Sequence, residues 1–214
     1  MRSFFDIKHL LLVDINSSGL SFYLAKDVKD LASIDFTNLV LLKRIFTNKV
    51  CQMNLLANEQ LFKESLDKNL KSFDLESYSL VFLISSDHSK LEKKALQSTV
   101  PFLTKSSMVD RHFFYNFYLM QKRNFSQIKF LINMFNDCAE LSIFDQENLL
   151  VSRTVVLRNL ALQSKAFFQS AKDKFAFAQP DCFYFFTNNL ATKIKSIELA
   201  KYLKLEAIEV ENLC

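Results

Sequence analysis

The stretch Ile128–Asn159, IKFLINMFNDCAELSIFDQENLLVSRTVVLRN, contains three strand-like segments in succession. Ile128–Met134 is a continuous apolar run, Ala139–Phe144 and Leu149–Leu157 follow it, and short polar stretches separate the three. Apolar runs of this length bounded by Asn, Asp, Gln and Glu are typical of strands joined by tight turns. The stretch therefore predicts three successive strands, and the fold depends on whether this unit recurs elsewhere in the chain.

The same order of elements is predicted twice along the chain. The first copy consists of strands His9–Asp14, Leu20–Ala25 and Leu39–Thr47, helix Asn54–Phe73, strand Ser79–Ser85, helix Ser89–Ser98, strand Val100–Thr104 and helix Val109–Lys122. The second continues from the three strands above with helix Leu160–Ala176, strand Cys182–Phe186, helix Ala191–Leu203 and strand Ala207–Val210. Two copies of βββαβα(β), about 120 residues apart, predict an internal duplication. We expect a first subdomain over residues 1–124 and a second over residues 125–214.

Glycine is the most informative count in the composition. The chain has 214 residues, of which 50% are hydrophobic and 23% charged, as in globular proteins, but only one is glycine. About fifteen are expected at ordinary usage of ~7%. A biased, AT-rich genome is one explanation of the shortage. Functional glycines resist such bias, since no other residue allows φ > 0 and close backbone approach as well, so the shortage argues against a glycine-cradled nucleotide site.

Several other classes of function are not expected. The net charge of +4 is small and the lysine groups are scattered, so no nucleic-acid surface is predicted. The cysteines show no zinc-ligand spacing and are predicted to be reduced thiols of a cytosolic protein, and no metal site is expected. No apolar run approaches the ~20 residues of a membrane-spanning helix, and the N-terminal segment does not have the pattern of a signal peptide.

Three segments carry a resemblance to the actin/Hsp70/sugar-kinase superfamily. HLLLVDINSSGLSFYLAKD (His9–Asp27) resembles its first phosphate hairpin, and FLINMFNDCAELSIFDQENLLVSRTVVL (Phe130–Leu157) its second. FYFFTNNLATKIKSIELAKYLKLEAIEVEN (Phe183–Asn212) resembles its adenosine segment. The resemblance implies an α/β, actin-like (ribonuclease H-like) fold with two halves related by duplication.

Within this superfamily the chain resembles the PilM proteins of type IV pilus assembly. ENLLVSRTVVL and LAKYLKLEAIEVEN are similar to the cadence of that family. The resemblance implies a cytoplasmic scaffold, peripheral at the inner membrane, that binds the cytoplasmic N-terminal tail of a PilN-like protein and forms part of a ring. The machine would be a pilus-like complex or a flagellar motor. The chain is much shorter than that family, which leaves the position of the tail-binding groove open.

Departures from the superfamily pattern fall on the nucleotide positions. Asp14 is kept, but Asn16 stands at the first glycine, Asn133 at the second aspartate and Phe135 at its glycine. The resemblance implies a vestigial nucleotide cleft, no cofactor and no catalytic residue. The positions concerned are Asp14, Asn16, Ser17, Ser18, Asn133, Phe135, Asn188 and Asn189.

The aromatic stretch RHFFYNFYLMQKR (Arg111–Arg123) is predicted to be a core helix. The alternative is that part of it forms a partner groove, with Phe113, Tyr115 and Tyr118 as the candidate binding residues. Two alternatives to the scaffold remain open at this point. One is a small kinase similar to type III pantothenate kinases, and the other is a TsaB-like non-catalytic partner of a tRNA-modifying enzyme.

Overall fold

Two five-stranded sheets and four described helices carry the fold. The structure, a computed structural model, describes residues 9–26, 39–46, 51–52, 55–56, 58–73, 78–85, 107–122, 128–187 and 190–210. The helices are α1 (Glu59–Leu70), α2 (Arg111–Lys122), α3 (Leu160–Phe175) and α4 (Leu190–Leu203). The strands are β1 (His9–Asn16), β2 (Gly19–Lys26), β3 (Val40–Phe46), β4 (Cys51–Gln52), β5 (Leu55–Leu56), β6 (Ser79–Ile84), β7 (Ser107–Asp110), β8 (Ile128–Met134), β9 (Cys138–Asp145), β10 (Asn148–Val156), β11 (Cys182–Thr187) and β12 (Glu206–Glu209).

The two large sheets have the same topology. The first has the order β3-β2-β1-β6-β7 and the second the order β10-β9-β8-β11-β12. In each, three consecutive strands pair antiparallel, and the two later strands add in parallel to the first strand of the trio. A parallel neighbour requires a crossover connection, which is why a helix follows each trio. The predicted duplication is therefore present as a repeated strand order.

Most predicted elements are present, and the differences have local causes. Helix α1 begins at Glu59 rather than at the predicted Asn54, because the Asn58 side chain accepts a hydrogen bond from Leu61 N at 2.9 Å and caps the helix there. The preceding Leu55–Leu56 pairs with Cys51–Gln52 as a short strand. Strand β7 takes up the beginning of the predicted helix Val109–Lys122. The predicted helix Ser89–Ser98 and strand Val100–Thr104 lie outside the described residues.

The chain divides into two compact units between Arg111 and His112. Compactness and the end of a duplicated segment are different properties, so the subdomain boundary between residues 124 and 125 stays a prediction. Each unit contains one of the two large sheets.

In the first unit, α1 covers one face of the sheet. Alternate residues of β1 point to that face, where Leu11, Val13 and Ile15 pack with Phe62 and Leu66 of the helix. The intervening residues of β1 point to the opposite face and include Asp14, which is buried. Because side chains alternate along a strand, the hydrophobic core fixes the direction in which Asp14 points.

In the second unit, the sheet has helices on both faces. Phe130 and Ile132 of β8 pack with residues of α3 on one side, in a cluster that also contains Leu199 of α4. On the other face, rings of α2 contact Phe144 of β9 and Phe186 of β11. Burial on both faces explains why β8 and β11 are almost continuously apolar.

Candidate functional site

The first candidate phosphate hairpin is the tight turn between β1 and β2. Asn16 pairs with Gly19 across the turn, and Ser17 and Ser18 form its two central residues. Gly19 has φ 132°, a value that a side chain disfavours. Asp14, Asn16, Ser17 and Ser18 are all buried. The four predicted positions of the first half are therefore brought together in one closed turn.

The Asn16 side chain bonds to both sides of this turn. Its Oδ1 accepts a hydrogen bond from the Ser18 backbone N–H at 2.8 Å, and its Nδ2 donates to Asp14 Oδ2 at 2.8 Å. An asparagine that binds its own backbone two residues on stabilises a tight turn. In a phosphate-binding turn, backbone N–H groups point at the anion. Here the Ser18 N–H points at a side chain of the turn itself.

Arg111 makes the ion pair that defines this hairpin. Its Nε lies 2.7 Å from Asp14 Oδ1, its Nη2 donates to the carbonyl of Ile15, and the same nitrogen lies 3.5 Å from the carbonyl of Leu83. The arginine side chain is fully buried (0% exposed). Both oxygens of Asp14 are thus bonded to side chains, one to Arg111 and the other to Asn16. A divalent cation at Asp14 Oδ1 would have to displace a buried guanidinium group.

The position of Arg111 follows from the topology of the first sheet. β1, β6 and β7 are parallel, and Asp14 is the register partner of Leu83 at their carboxyl ends. Arg111 comes directly after β7 and reaches the carbonyl groups of the other two strands. The carboxyl edge of parallel strands is where open α/β sheets bind ligands. In this protein an arginine of the same chain occupies that edge of the sheet.

The negative charge of Asp14 affects the pKa of the Tyr23 hydroxyl on β2. Burial raises the pKa of the Tyr23 hydroxyl, and the negative charge of Asp14 raises it further. Arg44, whose Nε donates to Ser21 at 3.2 Å, lowers the pKa of the same hydroxyl by a hydrogen bond and by its charge. Tyr23 therefore remains a neutral hydrogen-bonding group beside the ion pair.

The second candidate hairpin, between β8 and β9, is closed by its own backbone. The Phe135 N–H donates to the carbonyl of Cys138 at 2.9 Å, and the Leu157 N–H donates to the carbonyl of Asp137 at 3.1 Å. The Phe135 ring is buried (1% exposed). A glycine here would leave room for an anion beside the backbone, whereas position 135 carries a buried phenylalanine and its amide is already bonded.

Asn133, the second predicted metal position, is a buried amide. It lies opposite Glu140 on β9 and beside Phe186 on β11, on the face of the sheet that α2 covers. Its Nδ2 has no hydrogen-bond partner among the described residues. An amide offers a metal one neutral oxygen, whereas a carboxylate offers two charged ones. The predicted adenosine positions Asn188 and Asn189 lie outside the described residues.

Neither hairpin fits magnesium and a nucleotide phosphate. Asp14 is paired with an arginine, Asn16 binds the turn amide, and the Phe135 amide of the second turn is bonded to the Cys138 carbonyl. Among the residues that the structure describes, no group of three His, Cys, Asp or Glu side chains could hold a metal ion. Within the same residues, no helix is long and apolar enough to cross a membrane.

The three candidate partner residues of α2 pack inside the second unit. Tyr118 is buried, and its ring centroid lies 6.2 Å from that of Phe186. Tyr115 lies closer to the same ring, at 4.1 Å, and Phe113 packs edge-on against Phe144 at 5.7 Å. Phe113 and Tyr115 are half-buried. These contacts agree with the predicted core helix, and a partner-binding role for the three residues stays a prediction.

Sequence reasoning missed Arg111. The sequence indicates Arg111 only as the beginning of an aromatic helix, because a contact between residues 97 positions apart leaves no periodic signal. The available signal was a charge directly after a strand at the carboxyl edge of a parallel sheet. That signal requires β7, which the sequence pattern did not reveal.

Comparison with known proteins supports the actin-like fold. No protein-family model and no curated protein matches the sequence. A Bacteroides thetaiotaomicron VPI-5482 protein with an actin-like ATPase fold and unknown function is similar in structure, with a TM-score of 0.57, 11% identity, and 98% of this chain and 94% of that chain covered. EutJ, an ethanolamine utilization protein of Carboxydothermus hydrogenoformans, has a TM-score of 0.55 and 12% identity, with 94% of this chain and 84% of that chain covered. A chain of the PilM–PilN type IV pilus biogenesis complex has a TM-score of 0.55 and 9% identity, with 94% of this chain and 88% of that chain covered.

These likenesses show the fold, and together with the repeated topology they confirm the predicted class. The chain is an α/β protein with an actin-like fold, and PilM is among the proteins whose fold it shares. Identities of 9–12% do not extend the likeness to function. The actin-like fold supports both enzymes and binding proteins, so function has to be argued from the site.

Proposed function

We propose that this protein is a non-catalytic, PilM-type scaffold that docks to a PilN-like inner-membrane protein. The observation that carries the non-catalytic part is the Asp14–Arg111 ion pair, together with the Asn16 bonds that close the first hairpin. An ATPase needs its aspartate for metal and its turn amides for phosphate. Here both groups are bonded to side chains of the same unit.

The partner class is supported by the likeness to the PilM–PilN complex, which extends over 94% of this chain. On this proposal the protein is cytoplasmic, peripheral at the inner membrane, and held there by the cytoplasmic N-terminal tail of its partner. The complex would belong to a type IV pilus-like machine or to a flagellar motor, with self-association into a ring.

Calorimetric titration with magnesium and ATP tests the non-catalytic part. We expect no heat of binding, because a metal-bound phosphate at the first hairpin would have to break the buried Asp14–Arg111 pair. The Asp14→Ala variant is the matched control for any signal. Micromolar affinity, or turnover that Asp14→Ala abolishes, would favour the kinase-like alternative.

A pull-down with the cytoplasmic tail of a PilN-like protein tests the docking part. Tyr115 is one of the candidate partner residues and is half-buried, so on this proposal Tyr115→Ala weakens capture by roughly the 2 kcal/mol typical of an aromatic interface anchor. Lys195→Glu, on the exposed side of α4, is expected to leave capture unchanged and serves as the control. Thermal melts of both variants separate loss of binding from loss of fold.

Cell fractionation gives an independent result. The protein should be at the inner membrane when the PilN-like protein is present, and in the soluble fraction when that partner is deleted. Membrane association that survives the deletion, or a wholly cytosolic protein in a cell that has the partner, would contradict the scaffold.

A further inference from the structure

The second sheet carries buried polar side chains on the face that α2 covers. Alternate residues of β8 and β9, such as Ile132 and Leu141, belong to the core cluster on the opposite face. Because side chains alternate along a strand, Asn133, Glu140 and Ser142 point to the face that the rings of α2 contact. Asn133 is 5% exposed there, and Glu140 and Ser142 are fully buried.

These three polar residues are neighbours in the strand register. Asn133 of β8 lies directly opposite Glu140 of β9, and Ser142 is the next residue of β9 on the same face. Directly opposed residues have Cβ atoms about 4.5–5.5 Å apart, and diagonal neighbours such as Asn133 and Ser142 lie about 7–8 Å apart. The three side chains therefore form one group, which we call the polar cluster.

Two buried atoms of the polar cluster have no hydrogen-bond partner among the described residues. They are Asn133 Nδ2, which can only donate, and Ser142 Oγ, which can donate and accept. A buried polar atom without a partner destabilises a folded protein, and most such atoms in native structures bond to protein groups or to ordered water. Two of them in neighbouring positions therefore indicate a bound molecule that serves both.

The chemistry of the polar cluster identifies that molecule as water. Asn133 Nδ2 requires an acceptor, the carboxylate of Glu140 is an acceptor itself, and the Ser142 hydroxyl suits either role. Water both donates and accepts, and a buried water molecule typically makes about three hydrogen bonds. A metal ion would meet the N–H donors of Asn133 Nδ2, and the full burial of Glu140 and Ser142 favours a molecule as small as water.

We propose that one ordered water molecule is bound beneath α2, where it accepts a hydrogen bond from Asn133 Nδ2, donates one to the Glu140 carboxylate and bonds to Ser142 Oγ. The water completes the hydrogen bonding of the sheet face on which the aromatic rings of α2 pack. It is an internal part of the second unit and is independent of the tail docking proposed above.

The first test compares the thermal melts of two serine variants of the full chain. Ser142→Ala should lower the Tm by about 2–4 °C, the shift that the loss of one hydrogen bond gives at this chain length. Ser164→Ala is the matched control. Ser164 Oγ is also buried without a hydrogen-bond partner among the described residues, but it lies on the face of α3 that carries Leu160 and Phe168. Its removal should leave the Tm unchanged or raise it.

Oxygen-17 magnetic relaxation dispersion counts long-lived water molecules directly and provides the second test. We expect the double variant Asn133→Leu/Ser142→Ala to hold one fewer such molecule than the wild type, and Ser164→Ala to hold the same number. If the double variant does not fold, Ser142→Val takes its place, since its larger side chain beside Glu140 should also expel the water.

Two results would overturn the proposal. One is a Tm of Ser142→Ala that equals or exceeds the wild-type value, which would mean that the hydroxyl has no partner to lose. The other is an unchanged count of long-lived water molecules in the folded double variant or in Ser142→Val. The magnesium-ATP titration and the PilN-tail pull-down do not depend on this water, so the inference and the proposed function fail separately.

Discussion

Replacing Arg111 tests the closed first hairpin directly. In Arg111→Met, Asp14 keeps its Asn16 contact but loses its charged partner, and its carboxylate stays buried. Breaking a buried ion pair by removing one partner costs about 3–5 kcal/mol, because it leaves an uncompensated charge in the interior. The arginine is fully buried and also bonds two strand carbonyls, so we expect a loss in the upper part of that range.

The assay is urea unfolding followed by circular dichroism, with thermal melts as a second measure. For a chain of this length each kcal/mol lowers the Tm by about 2–4 °C. The double variant Asp14→Asn/Arg111→Met removes both charges and should recover a large part of the stability, as replacement of whole buried pairs does. If Arg111→Met lies within about 1 kcal/mol of wild type, or if the two single effects simply add in the double variant, the buried pair does not have the role assigned to it.

Three further changes address other parts of the fold. Burial lowers the pKa of Lys129, against the opposing charges of Glu147 and Asp145, so Lys129→Met should raise the free energy of unfolding at about pH 7. The stability advantage of Lys129→Met should shrink as pH rises from the lowered pKa of the folded state toward the pKa of the unfolded state, since the wild type then buries a neutral lysine. A pH-independent difference in the free energy of unfolding between the two proteins, measured by urea titration, would contradict this expectation. Ala176 caps α3 at φ 52°, and Ala176→Gly should stabilise by about 1 kcal/mol, with a lower melting temperature as the contrary result. Asn16→Gly, which removes both turn hydrogen bonds, should destabilise by about 1–3 kcal/mol, and unchanged stability would show that those bonds are dispensable.

The sheets were predictable from the sequence because their signal is local. β8, β9 and β10 were placed to within one residue, since each is an apolar run ended by polar turn residues. The repeated order of elements predicts an internal duplication, and the duplication predicts the same strand order in both sheets. Burial on both faces made these runs nearly continuous, which is a strong pattern even without alternation.

Prediction from the sequence was wrong or incomplete where contacts between elements, rather than a local pattern, determine the structure. Leu55 and Leu56 fit the period of the following helix, but they belong to a short hairpin, and the cap at Asn58 sets the true start of α1. β7 has only four residues, too few for a periodic signal. The Asp14–Arg111 pair joins residues far apart in the sequence. It can be recognised only from the register of β1, β6 and β7 in the folded structure.

The shortage of glycine has two different structural consequences. Where only backbone conformation called for glycine, other residues took its place at positive φ, as Gln146, Ala176 and Lys204 do at 52°, 52° and 57°. Such replacements cost stability but leave the fold intact. At the two hairpins the side chain and backbone make further contacts, because Asn16 binds the turn amide and the Phe135 amide bonds to the Cys138 carbonyl.

This difference separates compositional bias from loss of function. Bias alone would leave residues that tolerate a glycine conformation poorly, and restoring glycine would then stabilise the protein, as expected at Ala176. At Asn16 the side chain makes two hydrogen bonds within the closed hairpin, so Asn16→Gly should destabilise. Opposite signs at these two positions would mean that the hairpin is maintained in its closed form by stabilising interactions. The fold would then depend on the same contacts that occupy the proposed nucleotide positions.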